Sequence, residues 1–286
     1  MVFMTQQQHV RTRSPRLRRR ALAVGATLAV AAATAATVAT TTAAPAEAAT
    51  YGTISAHRGG GWGPDNSLKA FKGALAANID DIEGDVYFTT DDVAVFRHDN
   101  SLSACGLNRT ITGSSWAQID QVRCSGEPLA RLTDVAAAFR ASPNTNAVLR
   151  VELKHPASQT AAAAQAHARL LVSRLVDRGI AGRSIIQDFD WRTTAATIHA
   201  ARSTMRVSCL ESSVTDAEVA TADSKGCYDL SYNYANWRDG LNATIHGKGM
   251  QVAVWTVNSA STFTRFRDDL HANVIITDYP GAAKGW

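Results

Sequence analysis

Residues 53–86 read TISAHRGGGWGPDNSLKAFKGALAANIDDIEGDV. Thr53–His57 is a short apolar, β-branched run that ends on two side chains that handle charge, His57 and Arg58. A glycine-rich loop follows. Ser67–Ala77 then carries apolar residues at helical spacing, and Ile82–Val86 is a second strand-like run. Strand, helix and strand within roughly 30 residues make one βαβ unit.

The unit recurs along the chain. Further strand-like runs are Ala147–Lys154, Ser184–Phe189, Met205–Leu210, Tyr228–Tyr232, Val252–Val257 and Val274–Thr277. Helix-like stretches at Thr160–Val176, Trp191–Ala201 and Ala217–Ser224 lie between them. Such alternation predicts a parallel α/β architecture, and eight repeats fit a closed (β/α)8 TIM barrel of ~250 residues. An open doubly wound sheet is the alternative, but the first strand-to-helix loop lacks the G-x-G-x-x-G spacing. One extra run, Val93–His98, follows a turn at Thr89-Thr90-Asp91-Asp92. It is expected to fold back as a hairpin, an insertion after the second strand of a single-domain barrel.

The start of the chain reads as an address. Arg11, Arg13, Arg16, Arg18, Arg19 and Arg20 precede an uncharged, alanine-rich run from Ala21 to about Thr42, and Ala46-Glu47-Ala48 forms a small-residue cleavage pattern. This layout predicts an export signal over residues 1–48, by the general or twin-arginine route, and a domain over 49–286. No stable membrane anchor is expected after cleavage. The whole chain carries +4. Without the six Arg and one Glu of the leader, 23 basic face 24 acidic side chains. The basic balance thus belongs to the leader, and nucleic acid is not an expected partner. The exported protein is expected to act as a monomer.

Four cysteines, Cys105, Cys124, Cys209 and Cys227, allow three pairings, of which the local one is the simplest. They contain no C-x-x-C, which argues against zinc. Cys105–Cys124 would constrain the segment Asn100–Leu129, expected to lie over the site as a loop. Cys209 and Cys227 fall near the top of one expected strand and the bottom of the next, an uncomfortable span for a bond that needs Cα atoms within ~7 Å.

The chemistry concentrates at strand ends. Glu83 and Asp85 are two apart and share a strand face, with Gly84 turned to the helix side. Glu152 and Lys154 repeat the arrangement, with Leu153 turned outward. In a barrel these groups converge at the C-terminal rim. Three carboxylates there repel unless a cation lies between them, and an all-oxygen set suits Mg²⁺ or Ca²⁺ rather than Zn²⁺. Each carboxylate could instead be half of an ion pair, Glu152 with Lys154 or Glu83 with Arg58, but two such pairs inside strands are uncommon. His57 and His98 both end strand-like runs and fit an acid/base pair near neutral pH. His167, His199, His246 and His271 are expected at the surface, and His155 close enough to Lys154 to line the site. Gly59–Gly61 are expected to keep side chains clear of a bound phosphate and to leave N–H groups facing it.

The motifs HRG at 57–59, Pro64-Asp65-Asn66-Ser67, Glu83-Gly84-Asp85-Val86 and the Thr89–Asp99 stretch ending in His98-Asp99 stand in this order. With Glu152-Leu153-Lys154, Trp255-Thr256-Val257-Asn258 and Ile275–Pro280, the chain resembles the glycerophosphodiester phosphodiesterase family over about residues 53–280. Residues 100–145 and 190–250 match poorly. The resemblance implies a (β/α)8 barrel that cleaves glycerophosphodiesters with one divalent cation, Mg²⁺ or Ca²⁺. It implies His57 and His98 as catalytic histidines and Glu83, Asp85 and Glu152 as metal ligands. Arg58 and Lys154 would hold the phosphate, and Trp255 would stand at the substrate mouth. The family's usual Pro-Glu-Asn-Thr and Glu-Leu-Asp are here Pro-Asp-Asn-Ser and Glu-Gly-Asp.

Either histidine can serve as acid or base in this reading, and water or a substrate hydroxyl can attack first. The rival reading is a lysophospholipase D or sphingomyelinase D-like enzyme acting on a lysolipid phosphodiester. A third class is a non-catalytic binding module on the same scaffold, which would bind ligand without turnover.

Overall fold

A computed structural model describes residues 50–286. The expected export signal lies outside the described residues. Among those described, eight strands form the barrel: β1 Thr53–Ala56, β2 Asp81–Phe88, β3 Val148–Leu153, β4 Ser184–Asp188, β5 Arg206–Glu211, β6 Asp229–Asn233, β7 Gln251–Trp255 and β8 Val274–Thr277. Neighbours in this order pair in parallel, and β1 closes the ring by pairing with both β8 and β2. Helices α1 Leu68–Ala76, α2 Leu132–Ala141, α3 Ala161–Asp177, α4 Trp191–Ala201, α5 Asp216–Ser224, α6 Leu241–His246, α7 Ala260–Thr264 and α8 Pro280–Ala283 follow the strands in turn. The expected barrel is thus the observed one.

Period-2 alternation separates two interiors. Ile82, Val86, Leu149, Val151, Val207, Leu230, Val252 and Ile275 point outward, into the apolar layer under the helices. The alternate residues point into the barrel and are largely polar. At its floor Arg150 is fully buried and binds Asp81 through two nitrogens, at 3.1 and 3.2 Å, and Asp229 through a third, at 2.9 Å. Ser55 donates to Asp81 at 2.6 Å, and Ser208 donates to Asp229. The strand pattern does not foretell this ionic floor, because its members come from β1, β2, β3, β5 and β6.

Helix α1 starts at Ser67, whose Oγ accepts the Ala70 N–H at 3.1 Å, an N-cap that stabilises the first turn. It packs Phe71 on Phe96, ring centroids 4.8 Å apart. Together these rings fill the space that a side chain at position 84 would need. A Cβ on Gly84 would lie 2.5 Å from Phe71 Cζ and 2.9 Å from Asn66 Oδ1. The Glu-Gly-Asp sequence therefore matches its own helix, and Gly84 faces outward as its spacing predicts.

The hairpin forms as expected, with Ala94–Phe96 antiparallel to β2 and the short strand Ala130–Arg131 beyond it. The segment that follows departs from expectation. Leu102, Ile111, Ile119 and Leu129 bury their side chains with Tyr87 and Val95 in a small core of their own. Cys105–Cys124 closes this annex with Cα atoms 4.7 Å apart. Its apolar residues have a mate in the hairpin, so it is a packed unit rather than a loop, and none of its residues lines the cavity at the rim. Cys209 and Cys227 are also bonded, Cα atoms 6.0 Å apart. Cys209 pairs with Leu230 in the middle of β5, and Cys227 precedes β6. The expected top-to-bottom span does not exist.

Candidate active site

At the C-terminal rim, register brings the acidic residues together. Asp85 of β2 lies opposite Glu152 of β3, and Glu152 lies opposite Gln187 of β4. Glu83 is one pleat deeper than Asp85 on the same face. One oxygen from each of Glu83, Asp85 and Glu152 lies within 4.8 Å of the others. The chain leaves β1 in a tight turn, His57–Gly59, and Arg58 takes a left-handed conformation, φ 52°. That turn aims the Arg58 backbone N–H inward, where it donates to Glu83 Oε2 at 2.9 Å.

The cationic side chains sit among these carboxylates. Lys154 Nζ is 2.9 Å from Glu152 and 3.5 Å from Asp85. Arg58 Nε is 3.4 Å from Asp85 Oδ2 and makes no hydrogen bond, while Nη1 reaches Asp65 at 3.4 Å. The Glu152–Lys154 ion pair weighed as an alternative is therefore present, but Glu83 is held by the Arg58 backbone rather than by its guanidinium. His57 Nδ1 lies 2.6 Å from Asp278 Oδ1, and its Nε2 is 4.0 Å from Glu83. His98 is more exposed and contacts Asp99 through Nδ1 at 2.8 Å.

These groups line a cavity of about 250 Å³ that holds His57, Arg58, Glu83, His98, Glu152 and Lys154. Its other side is mainly apolar, Phe189, Leu210, Trp255 and Ile276, with Gln187 and Thr256 among them. Phe189 meets Trp255 edge-on, centroids 5.9 Å apart. Of the residues expected to act as catalysts, metal ligands or substrate binders, all except Asp85 face this cavity, and Asp85 completes the acidic cluster at its wall.

Burial sets the electrostatics. It pushes the Glu83 carboxyl up to about 7, with help from the Asp85 charge. Burial and Asp85 also hold Glu152 well above the usual carboxylate range. Asp85 resists the same burial and is held low by Lys154, Asn66 and Arg58. Burial opposes a charged His57, but the Asp278 hydrogen bond and Glu83 outweigh it and raise the imidazole. Three carboxyls that cannot all ionise unaided, offering only oxygen, fit a hard divalent cation.

Three residues escaped the sequence reading. Asn66, at φ 60°, donates to Asp85 Oδ2 at 2.8 Å and accepts the Asp85 N–H at 3.0 Å. Asp278 holds His57, and Asn258 donates to Asp278 Oδ2 at 2.6 Å. All three lie within quoted motifs, so motif membership was the available signal, although their partners were not visible.

Two expectations need correction. Gly59–Gly61 do not line the cavity. A Cβ on Gly59 would lie 2.7 Å from that of Ala70, and one on Gly60 would lie 2.3 Å from Pro280 Cγ. The Gly60 N–H is already donated to the His57 carbonyl. Gly59 and Gly60 therefore permit close packing on α1 and α8 rather than clearing room for an anion. His167, His199 and His246 are also half-buried rather than superficial, and His246 meets Asn273 at 2.9 Å. His155 is tied to the buried Asp188 at 2.9 Å.

The fold recurs in solved proteins. A glycerophosphodiester phosphodiesterase of Parabacteroides distasonis superposes with TM-score 0.73 at 22% identity, covering 82% of this chain and 97% of its own. One of Thermotoga maritima gives 0.65 at 19%, covering 82% and 97%. An Oleispira antarctica phosphodiesterase, solved with the product sn-glycerol-3-phosphate, gives 0.70 at 17%, covering 82% and 95%. The family model for glycerophosphoryl diester phosphodiesterases matches residues 57–282, the stretch from His57 to α8. On that match the chain belongs to the glycerophosphoryl diester phosphodiesterase family and is a phosphoric diester hydrolase.

Proposed function

We propose that the protein is an exported, metal-dependent enzyme that hydrolyses glycerophosphodiesters to glycerol phosphate and an alcohol. The observation that carries this reading is the convergence of an Asp-held histidine, three carboxylates and two cations on one 250 Å³ cavity. A cavity of that size matches a deacylated headgroup, being below the ~300–1,000 Å³ of sites for larger ligands. The Oleispira relative's bound product is glycerol phosphate, which supports the same choice.

Glu83, Asp85 and Glu152 would hold one Mg²⁺ or Ca²⁺ ion, which would offset phosphate charge and polarise the phosphorus centre. Arg58, whose Nε lacks a hydrogen bond, and Lys154 bind the phosphate oxygens and stabilise the charge that builds during attack. His98 takes the proton from the attacking oxygen. His57, held by Asp278 and kept basic, delivers a proton to the departing alkoxide. The P–O bond to the alcohol breaks as the new P–O bond forms. Two disulfides with no free cysteine among the described residues are compatible with an oxidising compartment and support export. N-terminal sequencing of protein recovered from the medium tests the cleavage after residue 48.

A second reading, lysolipid hydrolysis, draws on Phe189 and Tyr279, which are 43% and 56% exposed and offer apolar contact to an acyl chain. Product analysis on glycerophosphocholine and lysophosphatidylcholine, with and without chelator, separates the two. Turnover of the former, abolished by chelator, is expected. Turnover of lysophosphatidylcholine alone would overturn the deacylated-substrate reading, and turnover indifferent to chelator would overturn metal dependence.

A further inference from the structure

The barrel interior holds a polar group that the chemistry above does not use. Gln187 lies at the C-terminal end of β4, in register with Glu152, and is 2% exposed. Its Nε2–H donates to Ser231 Oγ at 3.2 Å, which orients the amide. Its Oε1 has no hydrogen-bond partner although it is buried, and the residue lines the catalytic cavity. Buried side-chain acceptors are nearly always satisfied, so a lone one on a residue that lines a cavity marks the place of a ligand donor.

A second orphan bounds the same cavity. The Trp255 Nε1–H is also buried without a partner. The pair offers one acceptor and one donor on a wall otherwise made by Phe189, Leu210, Thr256 and Ile276. A carboxylate or phosphate would accept from Trp255 but leave Gln187 Oε1 unmet. An ammonium would do the reverse. A hydroxyl both donates and accepts, and so answers both orphans.

We propose that Gln187 Oε1 accepts, and Trp255 Nε1 donates, hydrogen bonds to the free hydroxyls of the substrate's polyol arm, making Gln187 a determinant of specificity for hydroxylated over apolar phosphodiesters. The inference rests on the substrate reading above and adds the residues that would enforce it. A site built to hydrogen-bond a hydroxyl rejects an analogue that lacks it, because its buried polar groups are then left unpaired.

The test compares glycerophosphocholine with propyl phosphocholine, the same diester without the two hydroxyls, in wild-type protein and Gln187→Met. Wild type should favour glycerophosphocholine in kcat/KM by at least ~10-fold. Gln187→Met should cut that preference ~10-fold or more, chiefly through KM. Equal wild-type rates on both substrates overturn the proposal even if the variant does not fold. So does an equal loss on both substrates, or no loss on either, in a folded variant; in these cases the glycerophosphodiesterase reading stands. A wild-type protein that cleaves bis(p-nitrophenyl) phosphate but neither phosphocholine ester overturns both together.

Discussion

Asp278 grips the imidazole of His57, Oδ1 to Nδ1 at 2.6 Å, across 221 residues of sequence. The contact leaves Nε2 as the ring nitrogen free to meet substrate. The His57 hydrogen bond keeps the Asp278 carboxyl below the usual range despite opposing burial, so it is ionised at neutral pH. Asp278→Asn keeps the shape but removes the charge that favours an imidazolium. We expect kcat to fall ~10²-fold, within the span typical of acid–base catalysis, with the melting temperature nearly unchanged. A pH–rate profile should show the limb assigned to His57 moved to lower pH.

Cation affinity should depend on pH. Glu83 titrates at about 7 without a cation, and Glu152 is also raised. Binding must displace those protons. Lowering the pH below 7 therefore weakens binding, and raising it strengthens binding. Calorimetric titration with Mg²⁺ or Ca²⁺ at pH 7 in buffers of different ionisation enthalpy should detect proton release. Buffer-independent heats would count against this arrangement.

The barrel floor should dominate stability without touching chemistry. Arg150→Met leaves Asp81 and Asp229 buried with no counter-charge. Removing one member of a buried ion pair costs ~3–5 kcal/mol. Urea denaturation should show a loss of this size. A loss below ~1 kcal/mol would place the pair with surface ion pairs.

Position 84 couples packing to the site. Gly84→Ala forces a Cβ against Phe71 and against the Asn66 oxygen that accepts the Asp85 N–H. Overpacking costs ~1–3 kcal/mol, and displacing Asn66 releases Asp85. Both stability and cation affinity should fall. The double variant Gly84→Ala/Phe71→Leu should recover part of the stability.

The annex should be dispensable for turnover. No residue of Asn100–Leu129 lines the catalytic cavity. Replacing Cys105 and Cys124 by Ser opens a link across 19 residues, worth ~3 kcal/mol by chain entropy. Proteolysis should cut the annex sooner while kcat on glycerophosphocholine stays within ~2-fold. A large fall in kcat would show that the segment shapes the site.

Much of this protein is legible along the chain. Strand alternation showed which carboxylates share a face, and Glu83, Asp85 and Glu152 needed only that rule to be chosen. Helices α2, α6, α7 and α8 are not picked out by the sequence: α6, α7 and α8 span six, five and four residues, too short for a clear apolar stripe. The core of the annex is not legible in the sequence, because its few apolar residues have no visible partner until Tyr87 and Val95 are folded beside them.

The sequence by itself determined the eightfold alternation, the inward carboxylates and the two histidines at strand ends. These follow from local periodicity and from residue type. Only the tertiary structure decided that Asp278 meets His57, that Arg150 bridges Asp81 and Asp229, and that Gln187 keeps an acceptor bare. Each of these depends on the register of strands far apart in the chain, and that register exists only once β8 has paired with β1 and the barrel is closed.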